Sequence, residues 1–216
     1  MREVANSVSI QRCLFEATLR QVARSTLPTK WGEFRMFGFE RELQDISQPL
    51  ETAVALLSGD VTQGHPLVRI HSQCITSEAF GSLRCDCKDQ LDLAMRMIAV
   101  EGGLLIYEYQ EGRGIGLMSK LKTYALQDMG LDTIEANHAL GFRADCRDFA
   151  LAVAILHELG IRSVRLLSNN PQKSSALRKG RIQIVEELPC ESAPHSDAMA
   201  YLRTKKERMG HTLTLV

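Results

Sequence analysis

The chain carries no net charge: 26 Lys and Arg are set against 26 Asp and Glu. That balance argues against a general nucleic-acid binder, which needs a basic surface field, although local basic clusters stay open. Long hydrophobic runs are also lacking. No stretch approaches a membrane span. Arg2, Glu3, Gln11, Arg12 and Glu16 interrupt any apolar segment near the start, so no secretory leader is read there. There is no internal repeat, low-complexity tract or interdomain linker. The expectation is a cytoplasmic, reduced protein with no membrane and no nucleic-acid partner. Its 216 residues fit one domain or two small ones, and 44% hydrophobic and 24% charged residues are ordinary for a globular chain.

The cysteines are less ordinary. Six would allow three disulfides, but in a reducing compartment metal binding or catalysis is the better use of clustered thiols. Three fall in one stretch: His71-Ser72-Gln73-Cys74, then Cys85-Asp86-Cys87. If that segment is extended, Cys85 and Cys87 point the same way, and Cys74 must fold back across a loop to meet them. Three sulfurs would leave a fourth position open, as catalytic zinc sites do. His71 as a fourth ligand would instead close the site and make it structural. Three buried structural thiols are the plain alternative, opposed by the interleaved Arg84, Asp86 and Lys88, which do not look like core. Cys13, Cys146 and Cys190 carry no such signal.

Val8 to Ala23 has a loose helical period and reads as a docked helix in an appendage over residues 1–26, broken by Leu27-Pro28-Thr29-Lys30-Trp31-Gly32. Phe34 to Phe39, Ala53 to Leu57 and Leu67 to Ile70 read as short strands. Asp89 to Val100 reads as an amphipathic helix, with Asp89 as N-cap and Gly102 as stop. Leu104 to Tyr109, an apolar strand, feeds Glu111-Gly112-Arg113-Gly114-Ile115-Gly116 and a helix from Leu117 to about Met129. Strand, glycine-rich turn and helix can present N–H groups to phosphate, or can simply make a turn. A helix over Asp148 to Leu159, a strand at Val164 to Leu167, a short helix holding Lys173, a strand at Ile182 to Val185 and a charged helix over Ser196 to Met209 follow. This alternation predicts an α/β fold, a mixed sheet covered by helices.

Together these motifs resemble the GTP cyclohydrolase II family. The likeness runs over about residues 27–213, from Leu27-Pro28-Thr29-Lys30-Trp31-Gly32 and the cysteine stretch through Tyr109-Gln110-Glu111-Gly112-Arg113 and Tyr124-Ala125-Leu126-Gln127-Asp128. It continues in Glu135-Ala136-Asn137-His138, Leu140-Gly141-Phe142, Asp145 with Arg147-Asp148-Phe149, Ser168-Asn169-Asn170-Pro171 and Arg208-Met209-Gly210-His211. The resemblance implies a single catalytic domain over 27–213 and a homodimer. It implies a hydrolase that opens the imidazole ring of GTP, releasing formate and pyrophosphate, as the first step toward riboflavin or in a related pathway. Cys74, Cys85 and Cys87 match the ligands of one zinc ion per chain. Arg69 to Gln73, Gln90, the Glu111, Gly112 and Arg113 run, Thr133, Ser168 and Lys173 match nucleotide contacts. Asp145 matches a proton acceptor, Arg147 a nucleophile, and Tyr124 a tyrosine tied to ring opening. Gln73, Lys88, Gly114 and Ser168 stand where glutamate, glycine, asparagine and threonine are usual or frequent.

On chemical grounds, attack at C8 of guanine needs a strong nucleophile, and zinc makes hydroxide available near neutral pH. Tyr124 can serve as donor or acceptor at the ring nitrogens. The triphosphate calls for Arg113, Lys173 and Mg²⁺. Gln90, with an amide donor and acceptor, is the candidate reader of the guanine edge. Arg147 is either a covalent nucleophile or a charge that stabilises phosphoryl transfer. The alternatives are a family member that keeps the triphosphate on the opened ring and a nucleotide-binding regulator without turnover.

Overall fold

The computed structural model describes residues 18–43 and 50–216. Among the described residues, seven strands form one sheet: β1 (Leu19–Thr29), β2 (Gly32–Glu42), β3 (Leu50–Ser58), β4 (Leu67–Ser72), β5 (Gly103–Glu108), β6 (Ser163–Leu167) and β7 (Gln183–Leu188). They lie in the order β1-β2-β3-β5-β4-β6-β7. The β1-β2-β3-β5 half is antiparallel and the β5-β4-β6-β7 half is parallel. The expected mixed sheet covered by helices is what the chain forms.

The N-terminal part differs from expectation. Leu19 to Ala23 is strand, not helix: β1 pairs with β2 from Leu19↔Arg41 to Thr29↔Gly32, with a bulge between Gln21 and Ala23. The loose helical period there loses to cross-strand pairing. β1 is a largely exposed edge, so it has no apolar face to declare its true period, and Pro28 is tolerated at such an edge. Residues 19–26 therefore belong to the sheet and are not a helical appendage. The remainder of the proposed helix, residues 8–17, lies outside the described residues.

Helices cover both faces. On one, Phe37, Phe39, Ala55, Ile70, Leu104 and Ile106 pack against Leu151, Ala152, Ile155 and Leu156 of a helix over Ala150–Glu158 and Leu177 of one over Pro171–Lys179. On the other, Phe34, Leu67, Leu105 and Leu167 meet Ala94, Met95 and Ile98 of a helix over Cys87–Glu101. The central strand β5 is buried on both sides, which is why it reads as a mostly apolar run. The Cys87–Glu101 helix starts two residues earlier than expected. Its N-cap is Asp86, whose carboxylate serves Gln90 and Lys205 instead of the helix amides, and Gly102 ends it at φ +78.

The parallel strands β4, β5 and β6 end on the same edge. In open α/β sheets, ligands bind outside the carboxyl ends of such strands. The segments that leave this edge are Gln73 onward, Tyr109 onward and Ser168 onward. They are the three stretches that the sequence marked for chemistry.

Candidate active site

After β4 the chain turns at Cys74, the residue that caps a one-turn helix over Ile75–Glu78. It returns through a loop to Cys85 and enters the Cys87–Glu101 helix. The segment is not extended: Cys87 is the first helical residue, and the bend at Cys85-Asp86 brings the sulfurs together. All three Sγ atoms lie within 4.8 Å of one another, with Cys74 and Cys85 at 3.7 Å. All three residues also line one cavity of about 610 Å³. Three converging soft donors that face open space fit a metal with an exchangeable position, not a closed structural site. His71 does not join them. Its ring stacks on Tyr107 at 5.7 Å, and its Nε2 is 3.0 Å from Glu78 Oε1. Hydrogen bonds from the Cys85 and Cys87 thiols push the Cys74 pKa far down, and the same closeness to Cys74 pushes theirs up. A coordinated metal would deprotonate all three.

Around the sulfurs stand groups from a helix over Leu117–Asp128. The Tyr124 hydroxyl is 3.2 Å from Thr76 Oγ1, and Arg84 lies 4.7 Å over its ring. Burial raises the Tyr124 pKa. Lys120, one turn earlier, donates to Cys74 Sγ at 3.1 Å, Thr76 Oγ1 at 2.8 Å and Glu111 Oε1 at 2.7 Å. Glu111 in turn accepts from the backbone N–H of Ile75 through Oε2 at 2.7 Å and from that of Gly112 through Oε1 at 2.9 Å. Oε2 thus ties the glycine turn to the cysteine loop directly, and Oε1 does so through Lys120.

In that turn, Gly112 and Arg113 take left-handed conformations, φ +63 and +62. At Gly114, φ +86, a Cβ would sit 2.9 Å from the carbonyl carbon and oxygen of Cys146. The missing side chain lets the loop holding Asp145 and Arg147 approach closely here, and the Cys146 N–H donates to the Arg113 carbonyl at 3.0 Å. Arg147 is clamped by Asp145: Nη2 to Oδ2 at 2.6 Å and Nε to Oδ1 at 2.9 Å. Burial works against the Arg147 charge, but Asp145 outweighs it and the guanidinium pKa is raised. Burial likewise opposes the Asp145 carboxylate, and the Arg147 bonds still hold its pKa down.

Arg147 and Arg113 stand between the large cavity and a neighbouring pocket of about 60 Å³, lined by Arg69, Gln90, Ser168, Lys173 and Lys205 among others. Among the described residues, three buried donor nitrogens of residues lining this pocket have no hydrogen-bond partner: Arg69 Nε, Arg113 Nη2 and Asn170 Nδ2. Lys173 donates to the Ile70 carbonyl at 2.8 Å. Its burial, with Arg69 and Arg147 nearby, pushes its pKa well down. A pocket so rich in cationic groups and unused donors is suited to an anion.

The site residues expected from the sequence thus gather into one region. Gln73, Glu111, Gly112, Arg113, Thr133, Tyr124 and Arg147 face the large cavity with the cysteines, while Arg69, Gln90, Ser168 and Lys173 face the small one. Asp145 stands behind Arg147. Several are engaged within the protein. Gln90 accepts from Arg69 Nη2 and donates to Asp86 Oδ2, both at 2.6 Å; one N–H and one lone pair stay free, but it lines the small basic pocket and not the cavity of the sulfurs, so the structure does not place this expected reader of the guanine edge beside them. Thr133 Oγ1 accepts from Gln127 at 3.0 Å, and Ser168 Oγ accepts from the Asn170 N–H at 3.1 Å. Lys88 pairs with Asp92 along its helix at 2.6 Å. Sequence reasoning missed Lys120, Thr76, Tyr201 and Lys205. The last two do carry a signal, an i, i+4 pair on one face of the helix over Met199–Met209.

The family model described as GTP cyclohydrolase II matches residues 20–189. The GTP cyclohydrolase-2 of Yersinia pseudotuberculosis is 50% identical over 198 residues, covering 91% of this chain and 98% of that protein. That of Buchnera aphidicola from Schizaphis graminum is 49% identical over 197 residues, covering 90% and 98%. The riboflavin biosynthesis protein RibBA of Chlorobium phaeovibrioides is 46% identical over 198 residues, covering 91% of this chain and 47% of that protein. The chain therefore spans about half the length of the RibBA relative and nearly all of the other two.

Proposed function

The chain belongs to the GTP cyclohydrolase II family, and from that premise we propose that it is a zinc-dependent hydrolase that opens the imidazole ring of GTP. Formate and pyrophosphate leave, and the diaminopyrimidinone monophosphate enters riboflavin biosynthesis. One observation supports this reading above the others. The three-sulfur cluster and Tyr124 face the same cavity, while Arg147 stands between that cavity and a basic pocket. A base can then lie by the sulfurs while its phosphates lie by the cations.

Cys74, Cys85 and Cys87 would hold the zinc, which when bound lowers the pKa of water enough to supply hydroxide near neutral pH. The protein's own part is to orient the base and handle protons. Tyr124 keeps its proton through the neutral range, because burial raises its pKa, and it can donate to a ring nitrogen as the C–N bond breaks. On the phosphate side, Arg69, Arg113 and Asn170 line the small pocket and offer donors to phosphate oxygens. Lys173 regains a counter-charge, and Mg²⁺ accompanies the triphosphate. Arg147 stabilises the α-phosphoryl group by charge, with Asp145 fixing its orientation. A cytoplasmic homodimer belongs to the same reading by family likeness. Among the described residues, no helix is long and apolar enough to cross a membrane.

The test is incubation of zinc-loaded protein with GTP, with formate, pyrophosphate and nucleotide products measured in parallel. Formate and pyrophosphate in equal amounts are expected. Formate without pyrophosphate would instead identify an enzyme that keeps the triphosphate. GTP binding with neither product would sink the enzymatic reading in favour of a regulator.

A further inference from the structure

We infer that Lys120 is a positioning residue for the metal centre: its ammonium holds the Cys74 thiolate and limits how much charge that thiolate donates to the metal. The inference rests on the reading of Cys74, Cys85 and Cys87 as a zinc site. Lysine is almost never fully buried unless it is paired, yet Lys120 is 8% exposed. An ammonium has three donors and no acceptor. Here all three are engaged, by Cys74 Sγ at 3.1 Å, Thr76 Oγ1 at 2.8 Å and Glu111 Oε1 at 2.7 Å.

This placement follows from local structure. Gly116 caps the Leu117–Asp128 helix at φ +82, and the Lys120 N–H bonds to the Gly116 carbonyl at 3.0 Å. The lysine therefore occupies the first turn, directly above the glycine turn and facing the cysteine loop. Tyr124 follows at i+4 on the same face, and both residues reach Thr76 Oγ1.

Charge explains why a lysine belongs there. Three thiolates around a divalent ion sum to one excess negative charge, and the buried Glu111 carboxylate adds a second. In a poorly solvated site that excess is unfavourable unless a cation meets it. Lys120 is the cation in contact with both Cys74 and Glu111. Its N–H to sulfur bond also draws electron density from the ligand, and such outer contacts tune a metal site and are worth roughly 10–100-fold in affinity or activity. Without that bond Cys74 would donate more strongly, and the metal would polarise water less.

A purely structural role, a buried ion pair with Glu111, would leave the electronic state of the sulfur unchanged. Cobalt substitution separates the two roles, because the thiolate-to-cobalt charge-transfer band reports how readily sulfur gives up charge. In Lys120→Met, which keeps the apolar stem, the band should move to longer wavelength. Formate release by the zinc form should fall about 10–100-fold, with pyrophosphate release much less affected. Lys120→Arg, which keeps the charge, should lie between this variant and the parent. It also serves as the readout if Lys120→Met does not fold. A band unmoved in every folded variant would overturn the inference, and so would equal losses of formate and pyrophosphate. If the parent protein itself shows no charge-transfer band or no formate from GTP, the zinc hydrolase reading fails instead.

Discussion

Asp145 grips Arg147 with both carboxylate oxygens, and Oδ1 also accepts the Arg147 backbone N–H at 3.1 Å. The side chain leaves this clamp with its Nη1 3.4 Å from Ser72 Oγ at the end of β4. A guanidinium in such a grip keeps its proton, and the Arg147 pKa is raised, not lowered, despite burial. A covalent nucleophile would need the reverse.

Arg147 is therefore expected to act by charge. Arg147→Lys should retain measurable pyrophosphate release, whereas Arg147→Ala should lose about 10²–10³-fold, the usual effect of deleting a transition-state electrostatic contact. Asp145→Asn should fall between them, since the arginine stays charged but loses its orientation. Intact-protein mass spectrometry during a single turnover checks the point directly. A nucleotide-bearing species that forms and decays at the catalytic rate would refute the charge-only account.

The cysteine cluster and the phosphate clamp are separate side-chain sets, so the two halves of the reaction should be separable. Cys85→Ser puts a hard hydroxyl in place of a soft thiolate, and zinc content should fall well below one per chain. Arg113, Arg147 and Lys173 remain, so the folded variant should still convert GTP to GMP and pyrophosphate while releasing no formate. Metal analysis and chromatography of the nucleotides decide this. Formate from a zinc-free protein would remove the metal from the chemistry.

Tyr124→Phe removes a hydroxyl near the sulfurs without touching a ligand. Zinc content should stay unchanged. Formate release should fall on the order of 10²-fold or more, the range for loss of a positioned proton carrier, and a ring-opened formamide should accumulate. Burial raises the Tyr124 pKa, so the tyrosine should contribute no ionisation limb to the rate profile between pH 6 and about pH 9. Unchanged formate release would assign the proton transfer elsewhere.

How much of this was legible in the sequence varied with burial and with locality. Strand β5 announced itself because both faces are covered, and the cysteine spacing marked the site even though its geometry was misjudged. Cys85 and Cys87 converge because a bend leads into a helix, a feature that spacing alone does not distinguish from an extended segment. Strand β1 was hidden because its stabilisation comes from pairing with β2, not from an apolar face. The helix over Thr133–Ala139 was overlooked although Asp132 and Glu135 form a capping box at its start. Lys120 carries no sequence signal of its own, since a lysine on an amphipathic helix reads as solvated. Its role depends on Cys74 and Glu111, which lie 46 and 9 residues away.

Glu108 supplies a pH prediction of definite sign. It ends β5, is 1% exposed, and leaves Oε1 unpartnered while Oε2 accepts from Gln110 at 3.0 Å. Burial pushes its carboxyl up to about 7, with Lys173 and Arg147 pulling down and Glu51 pushing up. The unfolded chain releases this proton near pH 4.3, whereas the folded chain holds it to about pH 7. Between those values the native state binds more protons, so this group's contribution to stability falls as pH rises through the window. Glu108→Gln mimics the protonated form and abolishes the penalty. Its melting temperature should match the parent near pH 4.5 and exceed it by several degrees at pH 8, corresponding to about 1–3 kcal/mol. His71, held down to about 4 mainly by burial, works in the opposite direction. It stays neutral in the fold and weakens it as pH falls below about 6.5. Both proteins share that acid limb, so it cancels in the difference between their melting curves. Parallel curves from pH 4.5 to 8 would mean that Glu108 ionises as it does in water, and that Lys173 and Arg147 offset its burial completely.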